Sequence, residues 1–209
     1  MSKYLGPKCK LCRREGEKLM LKGDRCNTAK CAVVKKNYPP GIHGPKGRAR
    51  QSGYNMQLRE KQKAKRIYNL LEKQFVLSFK RGLKQKGDAG ENLMKILESR
   101  LDNVIYRLGI AASRAQARTL VNHGHFQVNG KKVNIPSFNV KTGQIIKIKP
   151  SSQTSKQFNN LAEKIKKTEV PGWLNWDIKD LSAKILHQPG KENFESKINT
   201  QMIVEFYSR

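Results

Sequence analysis

Residues 98–150 read ESRLDNVIYRLGIAASRAQARTLVNHGHFQVNGKKVNIPSFNVKTGQIIKIKP, and this stretch carries the clearest secondary-structure signals of the chain. Four apolar residues in its first part recur at spacings of three and four: Leu101, Val104, Ile105 and Leu108. This period predicts one buried face of a short helix that ends at Gly109. Ser113 and Gln116 form a capping-box pair, which predicts the start of a second helix that ends at Gly124.

A β-hairpin is predicted directly after the second helix. The runs FQV and KKVNI flank Asn129–Gly130, and this dipeptide between apolar residues favours a two-residue turn. From residue 145, IIKIK alternates apolar and basic side chains, with Ile146 and Ile148 on one face of a half-buried strand. The stretch therefore predicts a compact helix–helix–strand unit.

Basic residues of this unit are candidate contacts to nucleic acid. We expect the second helix to expose Arg114 and Arg118, and the adjoining turns to present His123, Lys131 and Lys132. A basic helix pair of this kind can dock on phosphates and on the shallow groove of folded RNA, which proteins recognise by shape more than by base edges.

The composition indicates a polyanionic partner. The sequence includes 43 Lys and Arg against 16 Asp and Glu, a formal net charge of +27, and this excess favours binding to a polyanion. Its 209 residues suffice for one large domain or two small ones. A membrane partner is disfavoured because the longest apolar runs, such as FVLSF at 75–79, are far shorter than the roughly 18 residues of a spanning helix. The first residues contain no apolar run typical of a signal peptide, so we expect a cytosolic protein.

All four cysteines lie near the start of the sequence. Two residues separate Cys9 from Cys12, four separate Cys26 from Cys31, and thirteen lie between the pairs. Two close pairs joined by such a loop are typical of a tetrahedral thiolate site, with zinc as the first candidate and an iron–sulfur cluster as the alternative. Disulfides are disfavoured in a reduced cytosol, and four unrelated thiols remain a weaker interpretation. Nearby cations, Lys8 and Arg13 among them, should lower the pKa values of these thiols.

The basic residues are concentrated in the first part of the chain. Residues 1–90 carry 24 basic and 6 acidic side chains, whereas residues 91–209 carry 19 and 10. NYPPGIHGPKGRARQSGY at 37–54 is rich in proline and glycine and predicts an extended arm along a partner, with a plain linker as the alternative. From Gln57 the pattern is helical, and Glu60 is the only acid between Gln51 and Tyr68, which favours phosphate contact.

The residues up to position 100 that we expect to contact RNA follow from this distribution. They are Arg13, Arg14, Lys22, Arg25, Lys30, Lys35, Lys36, His43, Lys46, Arg48, Arg50, Arg59, Lys61, Lys63, Lys65, Arg66 and Arg100.

Several motifs resemble a known family. The residues from Ser99 to Pro136 resemble the S4-type RNA-binding domain, which is also found in RNA-modifying enzymes and a tRNA synthetase. The motifs YLGPKCKLCRREGEKLMLKGDRC, YPPGIHGPKG, LREKQKAKRIY and the terminal VEFYSR resemble the bacterial small-subunit ribosomal protein S4 family. The resemblance runs nearly end to end and is weakest between about 150 and 195. A modifying enzyme is disfavoured because the acids are few and scattered, and a DNA-binding zinc protein because the helical run begins only after the arm.

The resemblance implies an α+β fold of two lobes. A mainly helical N-terminal lobe would hold the four-cysteine zinc knuckle, and the S4-type RNA-binding lobe would be inserted in it. We therefore divide the chain into 1–45 (knuckle and basic arm), 46–97 (helical lobe), 98–160 (S4-type RNA-binding domain) and 161–209. The alternation in MIVEFYSR predicts a terminal strand that returns to the first lobe.

The resemblance also implies a function. The family binds 16S ribosomal RNA as a primary binder, nucleates assembly of the body of the small ribosomal subunit, contacts ribosomal protein S5 and contributes to translational accuracy. Its members lie near the mRNA entrance beside other small-subunit proteins, and some bind their own mRNA. The zinc-bearing branch has cysteines at the positions of Cys9, Cys12, Cys26 and Cys31. We therefore expect a cytoplasmic, ribosomal, non-enzymatic protein with no membrane contact and no small-molecule substrate.

Overall fold

In the computed structural model, the described residues are 4–46, 52–155, 158, 161, 165, 169–177 and 180–208. The chain divides into two compact units. The first unit comprises Met1–Met94 and Glu195–Arg209, and the second comprises Lys95–Phe194. The mixture of helices and one small antiparallel sheet confirms the predicted α+β class. The second unit extends beyond the boundary that we placed at residue 160, because later strands join its sheet.

The first unit is helical. Its helices are α1 (Lys8–Glu15), α2 (Ala32–Lys35), α3 (Gly53–Ile67), α4 (Glu72–Leu83), the first part of α5 (Ala89–Glu98) and the C-terminal helix, numbered α9 below (Thr200–Tyr207). Short 3-10 turns occupy Gly23–Asn27 and Gly44–Lys46. The helix start after Ser52 is explained by its hydroxyl, which accepts a hydrogen bond from the N–H of Asn55 at 3.3 Å. Asn69 adopts a left-handed φ of 54° and separates α3 from α4 within the helical pattern that begins at Gln57.

Apolar residues from α3, α4, α5 and α9 form the core of the first unit. Ile67, Phe75, Leu93 and Ile203 are all at most 2 % exposed. The ring of Tyr207 stacks on Phe79 with centroids 4.6 Å apart, so α9 packs against this core and against α3. The prediction of a terminal strand was wrong: Thr200–Tyr207 is a helix.

The second unit begins with the predicted helix pair. After the end of α5, its described helices include α6 (Leu101–Arg107), α7 (Arg114–Asn122) and the short α8 (Pro150–Gln153). The Ser113 hydroxyl accepts a hydrogen bond from the N–H of Gln116 at 3.3 Å, which confirms the predicted start of α7. The amide oxygen of Gln116 accepts from the N–H of Ala112 at 3.0 Å, one residue before the usual partner of a capping box.

A five-stranded antiparallel sheet completes the second unit. The strands are β1 (Phe126–Val128), β2 (Lys131–Val133), β3 (Ile145–Ile148), β4 (Leu174–Asp177) and β5 (Ser182–Ile185), in the order β2-β1-β3-β5-β4. The turn between β1 and β2 has positive φ at both Asn129 (48°) and Gly130 (77°), as a primed hairpin turn requires. The predicted hairpin is therefore confirmed.

One face of this sheet and the helix pair α6–α7 enclose a single apolar cluster. Phe126, Ile146 and Ile148 of the sheet and Trp173 before β4 are at most 2 % exposed, and Leu120 of α7 is 3 % exposed. In the described parts of both units, no helix combines the length and the apolar content that a bilayer span needs.

Candidate nucleic-acid interface and metal centre

The four cysteines meet around one small cavity. Cys9 and Cys12 lie on α1, Cys26 lies in the turn Gly23–Asn27, and Cys31 precedes α2. All four line a cavity of about 20 Å³, which has room for one ion or one water molecule. Cys12, Cys26 and Cys31 are buried, and the N–H of Lys22 donates a hydrogen bond to the Cys26 sulfur at 3.4 Å.

Electrostatics at this cavity differ from the prediction. Burial raises the pKa of the Cys12 thiol, and the other three sulfurs add to the rise, while a backbone hydrogen bond with Leu19 opposes it. The expectation that the thiol pKa values are lowered was therefore wrong for Cys12, because burial and the neighbouring sulfurs raise its pKa. A divalent cation in the cavity would reverse this balance and favour the thiolates.

Cysteine side chains in their present orientations do not form a finished coordination sphere. Across the described residues, no group of three or more His, Cys, Asp or Glu side chains is placed so that it could hold a metal ion. The shared cavity is the more informative observation, because the backbone sets which residues surround it, whereas rotation about one Cys torsion angle moves a sulfur. The donor types and the size of the cavity fit a tetrahedral thiolate site.

Arg13 fixes the start of the proline-rich arm. Its Nε donates to the carbonyl of Tyr38 at 3.0 Å and a terminal nitrogen donates to the carbonyl of Pro39 at 3.3 Å. The same guanidinium lies over the Tyr38 ring, 4.7 Å from its centroid. Arg13 therefore positions the arm. These contacts use much of the hydrogen-bonding capacity that we expected its guanidinium to offer to RNA phosphates.

The cations of α3 form ion pairs with acids that are remote in sequence. Arg59 and Arg66 both pair with Glu15, and the Nζ atoms of Lys61 and Lys65 each lie 2.7 Å from a carboxylate oxygen of Glu72. These partners lie outside the Gln51–Tyr68 window, so counting acids within that window did not reveal them. The ion pairs hold α3 to α1 and to the start of α4. The contact of these cations with RNA stays a prediction.

Burial and aromatic contacts also tie the α3 lysines to the rest of the first unit. Lys61 and Lys63 are only 5 % and 7 % exposed, and Lys63 pairs with Glu60 at 2.7 Å. Lys61 also lies 4.8 Å from the ring centroid of Phe206. Burial opposes ionisation of Glu72, but hydrogen bonds from Lys61 and Lys65 outweigh it and lower its pKa to about 2.

A second group of predicted cations is exposed. Arg14, Lys22, Arg25, Lys30, Lys35, Lys36, His43 and Lys46 are exposed and form no ion pair within the described residues. Arg48 and Arg50 lie outside the described residues. The eight exposed side chains retain their full hydrogen-bonding capacity for phosphate oxygens.

Arg100, Arg114 and Arg118 are buried, which contradicts the expectation that α7 exposes its arginines. They are 3 %, 8 % and 2 % exposed. Arg100 binds Asp102 through two hydrogen bonds of 3.0 and 2.8 Å, and Arg118 pairs with the same carboxylate at 3.7 Å. The charges are therefore used to join α6 and α7, not to present a basic surface.

Arg114 belongs to a second buried polar network. Its Nε donates to the side-chain oxygen of Asn103 at 2.7 Å, and its guanidinium lies 4.5 Å from the ring centroid of Tyr106. Asn103 in turn donates to the fully buried carboxylate of Glu98 at 2.6 Å, which also accepts two hydrogen bonds from Arg107. Sequence reasoning missed Glu98, Asp102 and Asn103 because a polar residue beside an apolar stripe normally indicates a solvated helix face.

The end of α7 and the hairpin present three exposed basic residues of the second unit. His123, Lys131 and Lys132 are exposed, as predicted. The Lys132 side chain lies directly over Gly124, where any Cβ would collide with it, and this brings Lys132 next to the end of α7. His125 is only partly exposed, and its Nδ1 lies 3.0 Å from the Ser152 hydroxyl.

Two further exposed lysines share the solvent-facing side of the sheet. Gln127 pairs with Lys132 on one side and with Lys147 on the other, while Lys184 of β5 faces Ile145 in the next row. Lys147 and Lys184 were not predicted as contacts. The alternation in IIKIK indicated that Lys147 is exposed, because its side chain must face away from those of Ile146 and Ile148.

Comparison with known proteins identifies the family. Residues 3–98 match the ribosomal protein S4/S9 N-terminal domain, and residues 99–146 match the S4 domain. Proteins named small ribosomal subunit protein uS4 from Caldicellulosiruptor saccharolyticus, Clostridioides difficile and Acetivibrio thermocellus are 54 %, 51 % and 50 % identical to the chain. Each of these alignments covers 100 % of both proteins. Both the helical first unit and the sheet-bearing second unit are thus accounted for, and the chain belongs to the ribosomal protein S4 family.

Proposed function

We propose that this protein is a structural, non-enzymatic component of the small ribosomal subunit that acts in the cytoplasm as a primary binder of 16S ribosomal RNA. The names of its full-length relatives support this proposal. A net charge of +27 requires a polyanionic partner of matching size, which ribosomal RNA provides. Binding early in assembly would nucleate the body of the subunit.

The observation that carries the RNA contact is the contrast between paired and exposed cations. In the part of the chain described between residues 4 and 46, Lys22, Lys30 and Lys35 are exposed and form no ion pair, whereas the α3 cations are paired internally. Exposed lysines release condensed counterions from RNA at little internal cost. Together with His123, Lys131 and Lys132 of the second unit, they form two linked contact sets, which raise affinity through effective concentration.

A salt series tests this proposal. Binding of the full chain to small-subunit RNA should weaken by about 0.7–0.9 log units per log unit of salt for each phosphate contacted. The triple variant Lys30→Ala, Lys35→Ala and Lys36→Ala should lower this slope by about two to three.

The control removes the same charge elsewhere. Lys73→Ala, Lys80→Ala and Lys84→Ala change three exposed lysines in and just after α4 and should leave most of the slope in place. Equal losses in the two triple variants would show that net charge alone drives binding. A complex insensitive to salt would contradict the proposal as a whole.

We further propose that Cys9, Cys12, Cys26 and Cys31 bind one zinc ion. Among the described residues 4–46, the buried hydrophobic side chains are Leu19 and the last three of these cysteines. Such a segment has almost no apolar core, so a thiolate-bound ion would supply the free energy that keeps it folded. The ion would act structurally, because four thiolates leave no open coordination position.

Elemental analysis of the purified full chain tests the metal. One equivalent of zinc is expected, and Cys12→Ser should reduce it well below one. An iron–sulfur cluster on the same thiolates is the alternative, and it would appear as iron, acid-labile sulfide and visible absorption. Full zinc occupancy in the Cys12→Ser variant would contradict the four-cysteine site.

Three finer proposals rest on the family resemblance. We propose that the protein contacts ribosomal protein S5 and other small-subunit proteins near the mRNA entrance, that it contributes there to translational accuracy, and that it can bind mRNA. Crosslinking in reconstituted subunits, with and without S5, tests the first of these. Identical crosslinks in both preparations would contradict direct contact with S5.

A further inference from the structure

A cleft in the first unit is used by none of the functions above. Residues of α1, α3 and α9, together with Glu17 just after α1, line a space of about 270 Å³. This volume is close to the lower limit of about 300 Å³ that is typical of ligand pockets, so it suits one small planar group.

Polar groups with unused hydrogen-bonding capacity face this cleft. Arg59 lines the cleft and donates to Glu15 at 3.3 Å through one terminal nitrogen. Its side chain is 20 % exposed, so part of the guanidinium can still donate to a bound group. Arg14, also lining the cleft, is exposed and forms no hydrogen bond or ion pair with the described residues.

A carboxylate also lines the cleft. Glu17 has a single long ion pair, 3.8 Å from Lys63, and its side chain is 47 % exposed. Both of its oxygens can therefore accept further hydrogen bonds. The cleft thus presents donors from Arg14 and Arg59 and acceptors from Glu17.

Two methionines supply the apolar part of the cleft lining. Met56 of α3 is 42 % exposed, and Met202 of α9 is partly exposed. Thioethers are flexible, polarisable side chains that pack well against aromatic rings. A flat ring inserted between them would bury apolar surface that is otherwise in contact with water.

We propose that this cleft binds an unstacked guanine base of RNA. Guanine has two acceptors, O6 and N7, that match an arginine, and it has adjacent N–H donors on its Watson–Crick edge that match a carboxylate. Adenine pairs a donor with an acceptor on that edge and cannot fill both oxygens of Glu17. The inference rests on the proposed RNA-binding function and adds base recognition to its phosphate contacts.

Methyl resonances of methionine provide a direct readout. The full chain would be labelled with ¹³C at its methionine methyl groups and titrated with guanosine 5′-monophosphate. Saturable shifts are expected at Met56 and Met202, while Met94, which is buried in the core, should not move. Inosine 5′-monophosphate, which lacks the 2-amino donor, should bind about tenfold more weakly, because one hydrogen bond to a charged group is lost. Equal shifts with adenosine 5′-monophosphate or with inorganic phosphate, or no shifts, would overturn the proposal.

A matched pair of variants tests the carboxylate. Glu17→Gln should abolish most of the preference for guanosine over inosine. Glu169→Gln, which changes an exposed acid of the second unit, should retain it. An unchanged preference in Glu17→Gln would overturn the assignment of that residue.

A short single-stranded RNA with one guanine, and the same RNA with inosine in its place, separate an RNA base from a free nucleotide. The guanine RNA should shift the same two methyl groups more strongly than the inosine RNA. Binding of the free nucleotide without these RNA shifts would overturn the RNA assignment. Binding of whole small-subunit RNA is measured separately in the salt series, so failure at the cleft and failure of the proposed function give different results.

Discussion

Residues 4–46 of the first unit and the helix pair α6–α7 of the second unit use their positive charges in opposite ways. In the second unit, Arg100, Arg114 and Arg118 are buried and paired within a polar layer that joins α6 to α7. In the first unit, the described residues 4–46 keep most of their cations exposed, and their few buried apolar side chains are mainly cysteines. Residue type and local sequence do not predict which of these arginines is buried. The surrounding core decides whether an arginine stabilises the fold or lies on the surface. The following predictions test this contrast, from the largest expected effect to the smallest.

Removal of metal should affect the first unit alone. If zinc is bound as proposed, chelation would remove a contribution on the order of 10 kcal/mol from residues 4–46. Hydrogen exchange of peptides from this segment should then accelerate, whereas peptides from Leu101 to Val128 keep their protection. Unchanged exchange in residues 4–46 after complete removal of metal would contradict the structural role of the site.

Breaking the buried ion pairs should destabilise the second unit. Asp102→Ala leaves Arg100 and Arg118 buried without their carboxylate, which should cost about 3–5 kcal/mol in the free energy of unfolding. Trp173 and Trp176 both lie in the second unit, so denaturant titration followed by tryptophan fluorescence reports on it. Asp180→Ala, which removes an exposed pair with Lys147, is the control and should cost less than about 1 kcal/mol.

Because Arg114 and Arg118 are buried, we expect their replacement to affect stability before it affects RNA binding. Replacement of both by alanine should lower the stability of the second unit, and any loss of RNA affinity should follow from that unfolding. A variant that stays fully folded but binds RNA weakly would restore the original interpretation of these residues as direct contacts.

Destabilising α9 should lower the stability of the first unit and leave that of the second unit unchanged. Ile203 is 0 % exposed, so Ile203→Ala should cost about 2–5 kcal/mol through lost burial and a cavity. Hydrogen exchange should accelerate in α3 and α9, with tryptophan fluorescence unchanged. Ile42→Ala, at a side chain that is 87 % exposed, is the matched control and should have no measurable effect.

Acid should weaken the α3–α4 junction slightly. The pKa of Glu72 is about 2 in the folded chain against an ordinary value of 4.5, so its stabilisation is complete above about pH 4.5 and is lost as the pH falls toward 2. Because this side chain is 44 % exposed, solvent screening limits the effect to about 1 kcal/mol or less. Glu72→Gln should flatten the pH dependence of unfolding in this range; a variant with the same pH profile as the natural chain would exclude Glu72 as its source.

Local signals predicted local structure well. The Ser113 cap, the Asn129–Gly130 turn and the cysteine spacing each depend on residues that are neighbours in sequence, and the first two are confirmed in the structure. The ion pairs of the α3 cations could not be predicted, for the opposite reason: Glu15 and Glu72 lie outside the helix, and nothing in its own sequence shows that they come close. Partners that are distant in sequence decide burial, and one sequence cannot reveal them.

The C-terminal segment shows how one pattern can support two structures. Alternation in MIVEFYSR suggested a strand, but the segment is apolar on nearly every side and is short, so periodicity alone could not separate strand from helix. The side chain of Asn199 accepts a hydrogen bond from the N–H of Met202 at 3.3 Å, and this cap, together with packing against α3, stabilises the helix. The cap residue was the missed signal.

The position of α9 in the chain has a consequence for synthesis. Translation produces the whole of Lys95–Phe194 before Thr200, so a nascent chain can finish folding the second unit while the first still lacks one of its helices. Until α9 emerges, Lys61 lacks its aromatic neighbour Phe206, and the surface that Ile203 covers is open. A prematurely terminated product would therefore combine a folded basic unit with an unfinished partner, which makes it a natural substrate for chaperones and proteases.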